Sequence, residues 1–251
     1  MEIEILGTGT STGVPQIGCQ CEVCTSTDPR DNRLRTSAHV SVGGVNILID
    51  CGPDFRAQML RARNQNIDAV LVTHTHYDHV GGFDDLRPYC ARKALPVYAR
   101  RDVINDLRAR IPYCFMENRY PGVPTFDLIE IADEPFMVKG VTVEPLPVWH
   151  YKLLITGFKI GRMAYVTDAK TIGGDVMEKL KGLDTLIINS LRKEEHMSHM
   201  SLQQTLAVIG EVKPRVAYLI HMSHDMGLHR EVEGELPPNV HLAYDGLRLT
   251  V

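Results

Sequence analysis

The sequence predicts a layered α/β fold in which two sheets stack and carry helices on their outer faces. Three observations support this: a length of 251 residues, about a dozen short β-type runs, and a handful of helical patterns between some of them. One domain over 1–251 is expected, because a single α/β unit can reach about 250 residues. No low-complexity tract, short repeat or charged tail marks a boundary. Apolar residues make up 44% and charged residues 23% of the chain. A chain of this length buries roughly 70–75% of its unfolded surface, which excludes disorder and disulfide-dependent minidomains.

The chain opens on a strand at 2–6 and has no basic or apolar leader, which reads as a cytoplasmic N-terminus. Gly7-Thr8-Gly9-Thr10-Ser11-Thr12-Gly13-Val14-Pro15 follows, and then three of the six cysteines crowd into Cys19-Gln20-Cys21-Glu22-Val23-Cys24. Cys51, Cys90 and Cys114 stand alone. In a reducing compartment such a cluster points to metal rather than to disulfides. Strands are expected at 39–42, 45–50, 69–73, 96–99, 126–131, 141–146, 155–160, 164–167, 185–189, 216–221, 241–243 and 247–251. Helices are expected at 54–63, 82–89, 102–111, 175–181 and 202–212, the last behind a capping box of Ser201 and Gln204. No apolar run approaches the ~18 residues of a membrane helix, so no membrane partner is expected.

The densest chemistry is His74-Thr75-His76-Tyr77-Asp78-His79, directly behind the strand at 69–73 and ahead of Gly81-Gly82. A loop at a strand end can turn all four potential ligands toward one point. One imidazole pair can grip one metal while Asp78 and His79 reach a second. The succession of strand, ligand and loop recurs at His150, Asp168 and His221.

This His-x-His-x-Asp-His pattern, followed by a distant His, Asp and His, resembles the metallo-β-lactamase superfamily over nearly the whole chain. The resemblance implies an αββα sandwich with a two-metal site at one edge of the sheets. His74, His76 and His150 would hold one ion; Asp78, His79 and His221 the other; Asp168 would bridge. Asp50 matches an aspartate that supports such sites from behind the ligands; taken alone it is equally a strand-end turn residue. Five neutral imidazoles and two carboxylates leave two divalent cations with net positive charge, which suits an anionic substrate. Paired metals lower the pKa of a bound water to about 7 and clamp an in-line phosphoryl displacement, so hydrolysis is expected. The donor set suits Zn²⁺, Mn²⁺ or Fe²⁺.

The glycine run and cysteine triplet resemble a narrower family, the accessory phosphodiesterases of the bacterial carbon-phosphorus lyase pathway. This resemblance implies a structural Zn²⁺ on Cys19, Cys21, Cys24 and His224, closed to water, with sulfurs at about 2.3 Å. It also implies that His199, just ahead of the capping box, gives a proton to the leaving oxygen, with His196 as its rival. A free helix N-terminus there would add unpaired N–H groups near a phosphate. Arg192 and Lys193 either bind a second anionic group or form a solvated loop face. Asn189-Ser190 departs from the more acidic strand end expected in that family, which leaves substrate choice open.

The expected protein is therefore a metal-dependent phosphodiesterase for a small, cyclic or linear phosphodiester. Its catalytic groups would be His199, Asp78 and Asp168, with two active-site ions (Zn²⁺ or Mn²⁺) and one structural Zn²⁺ as cofactors. A homodimer is compatible with the sequence. Nucleic acid is disfavoured as a partner: 27 Lys+Arg against 31 Asp+Glu give a net charge of −4, with no basic tract. RNA-processing endonucleases of the superfamily carry an RNA-gripping arm between the ligands matching His150 and Asp168, an interval of only 18 residues here. A thioester or lactone hydrolase would share the ligands but has no need of His199 or the cysteines. A non-catalytic zinc module would have no use for an open two-metal site.

Overall fold

In the computed structural model, which describes residues 1–91 and 93–251, the two expected sheets divide the chain almost in sequence order. The first holds β1 (Glu2–Gly7), β2 (Ser37–Val42), β3 (Val45–Ile49), β4 (Ala69–Leu71), β5 (Leu95–Ala99) and β6 (Phe126–Glu130). The second holds β7 (Phe136–Val138), β8 (Val141–His150), β9 (Leu153–Ile160), β10 (Met163–Val166), β11 (Thr171–Ile172), β12 (Thr185–Asn189), β13 (Val216–Ile220) and β14 (Val240–Leu242). β15 (Arg248–Thr250) returns to the first sheet beside β1. Each sheet begins antiparallel, through β1–β3 and β8–β10, and ends parallel, through β3–β6 and β10, β12, β13, β14. Parallel strands bring their carboxyl ends to one edge, where open α/β sheets place ligands.

Both faces of each sheet are covered, so central strands are apolar without interruption; Ile47-Leu48-Ile49 and Leu186-Ile187-Ile188 are wholly buried. Ile47, Ile49, Leu71, Phe158, Tyr165 and Ile187 fill the space between the sheets. Leu48, Val70 and Val97 face outward onto α1 (Phe55–Arg61), α2 (Tyr77–Val80) and α3 (Arg101–Arg110). Leu186, Ile188 and Leu219 do the same onto α4 (Gly174–Leu180), α5 (Leu202–Val212) and α6 (His229–Glu235). Each fully buried aliphatic side chain contributes about 1.5–3 kcal/mol.

The sequence anticipated neither β7, β11, α2 nor α6. The helix expected at 82–89 is instead a 3₁₀ run, Phe83–Cys90, because Pro88 inside it has no N–H for an α ladder. β8 continues past 146 to His150 despite Pro145 and Pro147. On one side β7 pairs only with 141–143 and β11 only with 148–149, so the segment between needs no donors there. Among the described residues no helix is long and apolar enough to cross a membrane.

Candidate metal centre

Every motif residue of the strand-end pattern comes to the same edge. His74 follows β4 by way of Val72-Thr73, and His76 is the N-cap of the four-residue α2, whose first turn holds Asp78 and His79. His150 ends β8, Asp168 lies two residues beyond β10, and His221 directly follows β13. Asp50, Asp168 and His221 all adopt left-handed backbone, with φ of 61°, 60° and 58°. A non-glycine residue held there costs roughly 1 kcal/mol or more, a strain typical of sites where side-chain direction matters.

Asp168 is shared by three groups whose donor atoms lie within 4.8 Å of one another: Asp78, His79, Asp168 and His221; His74, His76 and Asp168; His150, Asp168 and His199. His79 Nε2 stands 3.2 Å from Asp78 Oδ2 and 3.4 Å from Asp168 Oδ1. His221 Nε2 is 3.2 Å from Asp168 Oδ2 and 3.4 Å from Asp78 Oδ2, and His74 Nε2 is 3.7 Å from Asp168 Oδ2. The rings of His76 and His150 are 5.0 Å apart.

Hydrogen bonds behind the cluster fix which nitrogen of each imidazole faces inward. His79 Nδ1 donates to Asp50 Oδ2 (2.7 Å), and Asp50 also accepts from the Thr73 amide and hydroxyl (2.8 Å each). With its own proton given to Asp50, Thr73 Oγ1 is left to accept from His74 Nδ1 (3.0 Å). His150 Nδ1 donates to the carbonyls of Asp168 and Ser198, 2.9 Å each. Nε2 of His74 and of His79 is left buried with no hydrogen-bond partner. Among the described residues no Lys or Arg nitrogen lies within 4.0 Å of Asp50, Asp78 or Asp168. Buried carboxylates without a fixed cation, facing unpartnered imidazole nitrogens, are what a pair of divalent ions requires.

The electrostatics agree. Burial opposes ionisation of Asp168, yet the imidazoles of His221 and His79 hold it well below the usual carboxylate range. Burial likewise opposes a charge on His79, but Asp168, Asp78 and Asp50 push it well above the ordinary histidine value. His74 is driven well below that value, first by burial and then by His79. The cluster thus favours positive charge at its centre. Burial also takes His199 down to about 3 against the pull of Asp168.

Cys19, Cys21, Cys24 and His224 form a second donor group. His224 Nδ1 lies 3.4 Å from Cys19 Sγ and 3.2 Å from Cys21 Sγ. The imidazole contact lowers the Cys21 thiol to about 6, whereas burial raises Cys24 to about 11. Three sulfurs and one imidazole nitrogen make a complete tetrahedral set with no open position. The loop is also tied to the active edge by backbone: Met222 donates to Thr8 O, and Thr10 donates to Met222 O.

His199 lies against the cluster, with Nδ1 buried, unpartnered and 3.9 Å from Asp168 Oδ2. His196 sits one ring farther out, 5.4 Å from His199, and is engaged with Ser198. The helix N-terminus beside them is not free, contrary to expectation. Gln204 N is capped by Ser201 Oγ and Leu202 N donates to Arg192 O. Arg192 and Lys193 turn to the protein's own carboxylates, Arg192 to Asp225 at 3.6 Å and Lys193 to Glu235 at 2.7 Å. Sequence reasoning passed over Thr73 as a support and saw in Asn189 only a departure. Asn189 clamps the turn after Asp168, accepting from Ala169 N (2.8 Å) and donating to Ala169 O (2.9 Å). The amide can do both, whereas an acidic residue could only accept.

A family model described as a beta-lactamase superfamily domain matches residues 45–222, a span that includes every strand-end donor from Asp50 to His221. An octanoyltransferase of Porphyromonas gingivalis is 48% identical over 254 residues, covering 100% of this chain but 52% of that protein. The chain thus spans about half the length of this relative. A coenzyme PQQ synthesis protein B of Methylobacterium nodulans is 26% identical over 75% of this chain and 72% of its own. In structure, a diphosphatase of the PhnP family superposes with a TM-score of 0.93 at 37% identity, over 100% of this chain and 97% of the other. Zinc-bound PqqB from Methylobacterium extorquens gives 0.81 at 20% identity over 100% of both chains, a likeness of fold.

Proposed function

The chain belongs to the beta-lactamase superfamily and, within it, to the PhnP family, and from that premise we propose that it is a metal-dependent hydrolase of a small phosphodiester. The observation that carries this is the convergence of three donor groups on Asp168, with a further imidazole, His199, against it. His74, His76 and His150 would hold one divalent ion and Asp78, His79 and His221 a second, with Asp168 available to both sets. The thiolates of Cys19, Cys21 and Cys24 with His224 would hold a structural Zn²⁺. When bound, active-site Zn²⁺ or Mn²⁺ would supply Lewis-acid polarisation of a phosphoryl oxygen and a water acidic enough to react at neutral pH.

The chain's own groups do the rest. Asp50, Thr73 and the Asp168 and Ser198 carbonyls keep the protons of His79, His74 and His150 on the nitrogens that point away from the cluster. His199 delivers a proton from Nδ1 to the departing oxygen, and the anionic substrate beside it supplies the countercharge that burial denies the imidazolium. The relative described as a diphosphatase brings phosphoanhydrides into the substrate class beside esters.

A second reading, hydrolysis of an acyl ester or thioester at the same centre, rests on the identity with half of an octanoyltransferase. One panel separates them: metal-loaded protein is offered bis(p-nitrophenyl) phosphate, cyclic and linear phosphodiesters, a diphosphate, short RNA and an octanoyl thioester. Turnover of the phosphodiesters is expected, and turnover of the thioester alone would replace the first reading with the second. His199→Ala should slow esters with poor leaving groups by about 10²–10⁴-fold and nitrophenyl esters much less, since a good leaving group needs little protonation. Equal losses on both would remove His199 as the acid.

A further inference from the structure

The core between the sheets is built of aliphatic and aromatic side chains, yet next to the metal centre four buried hydroxyls gather: Thr73, Thr156, Tyr165 and Thr167. They meet where the second sheet parts. β9 pairs with β10 from Ile160 opposite Met163 to Phe158 opposite Tyr165, and there the pairing stops. Thr156 N donates instead across the molecule to Thr73 O, 3.1 Å away, in the segment that leaves β4 of the first sheet for His74.

Two of the four hydroxyls have work to do. Thr73 Oγ1 donates to Asp50 Oδ2 (2.8 Å) and Thr167 Oγ1 to Asp168 Oδ1 (2.6 Å). Thr156 Oγ1 and Tyr165 OH are equally buried, and among the described residues neither has a hydrogen-bond partner. A buried hydroxyl left unmatched is costly, so a pair of them in one place requires an explanation. Thr156 lies two residues from Phe158 and therefore points to the same side of its strand, into the inter-sheet core that Tyr165 enters from β10. Burial first, and then the carboxylates of Asp50 and Asp168, push the Tyr165 hydroxyl well above the ordinary tyrosine value. Those carboxylates are acceptors for what the hydroxyls could donate. Asp50 Oδ1 takes one bond, from Thr73 N, and keeps a lone pair.

We propose that Tyr165 is a positioning residue of the metal centre: its hydroxyl and that of Thr156 hold one buried water, which donates to the carboxylates of Asp50 and Asp168. An internal water makes two to four bonds, and this one accepts from two hydroxyls and donates to two carboxylates. Asp50 stands at the end of a strand of the first sheet and Asp168 just past a strand of the second. The water therefore fixes the spacing of the two halves of the centre and the direction of Asp168, which all three donor groups share. This rests on the metal-binding part of the proposed function and is independent of the bond that is hydrolysed.

The test uses the full-length protein and two readouts, neither of which needs turnover. The first is competition between Mn²⁺-loaded protein and a chelator; Mn²⁺ is chosen because the thiolate group disfavours it. Tyr165→Phe and Thr156→Val, which remove only hydroxyls, should each weaken Mn²⁺ binding about tenfold. The double variant should also lose about tenfold, because either change alone breaks the same bridge. Phe158→Leu, in the same core and paired with Tyr165, is the control for packing: Tm should fall by several degrees with Mn²⁺ affinity within about twofold of wild type. The second readout is a high-resolution crystal structure, in which wild type should show an ordered water within hydrogen-bond distance of Tyr165 OH, Thr156 Oγ1 and both carboxylates, and Tyr165→Phe should not. Unchanged affinity in Tyr165→Phe, losses that multiply in the double variant, an equal loss in Phe158→Leu, or no such water in wild type would each overturn the proposal. If wild type binds no Mn²⁺ or Zn²⁺ at the Asp168 cluster, the metal reading fails, and the water at Tyr165 alone decides whether the hydroxyls join the two carboxylates.

Discussion

Asp50 shows how one residue's sequence context can hold two meanings at once. As the end of an apolar run it could be a turn residue or a support for the ligands, and its geometry is compatible with both. Its backbone turns at φ 61° while its carboxylate, wholly buried, accepts from Thr73 twice and from His79. The ligand types were legible because His-x-His-x-Asp-His packs them within six residues. Thr73 was not, since only the pairing of β3 with β4 brings it beside Asp50, 23 positions away. Asp50→Asn keeps the shape but can no longer accept all three bonds, so His79 loses the partner that holds its proton on Nδ1. Metal affinity of the His79 site should fall about 10–100-fold, measured by competition with a chelator. Affinity equal to wild type would mean that Asp50 only turns the chain.

The elements that escaped prediction are the short ones. α2 has four residues, β7 three and β11 two, too few for a periodic pattern, and α6 (HREVEGE) buries only His229 and Val232. The seat of the N-terminal loop on 33–35 escaped differently, because glycines say that backbone comes close without saying to what. A Cβ at Gly7 would stand 2.0 Å from Arg35 O and one at Gly9 2.6 Å from Arg33 O, so the run is needed for the loop to lie on 33–35. The same loop carries Cys19, Cys21 and Cys24 to His224, three residues beyond His221. If that donor set holds zinc, elemental analysis should find about three metals per chain in wild type and about two in Cys21→Ser, with Tm lower by several degrees. A count of two in both proteins would leave the cysteines without a metal.

At the scale of the molecule, the centre exists only because the two sheets meet: Asp50 and His74–His79 come from the first, His150, Asp168 and His221 from the second. The order of strands was legible, but the long-range closure was not. Its clearest case is Arg33, which is 2% exposed and joins segments about 200 positions apart. It donates to Thr8 Oγ1 (3.2 Å), to Ala243 O (3.0 Å) and to His229 Nδ1 (3.4 Å), while Asp245 holds Leu34 N and Thr8. His229 accepts from a guanidinium and so must be neutral. Burial first, then Arg33 and Arg30, take its pKa from 6.5 down to about 4, against Glu233 and Asp31, while the Tyr244 ring packs beside it without charge. The folded value lies below the unfolded one, so this contribution is complete above pH 6.5 and is lost as pH falls toward 4, where the unfolded chain takes up the proton first. A shift of that size corresponds to roughly 3 kcal/mol. Denaturant midpoints measured from pH 7.5 to 4.5 should therefore fall more steeply for wild type than for His229→Asn, whose amide oxygen still accepts from Arg33 and takes up no proton. Ligand protonation at the metal centre lowers both curves alike, so the difference between them isolates His229. Parallel curves would show that His229 does not link this closure to pH.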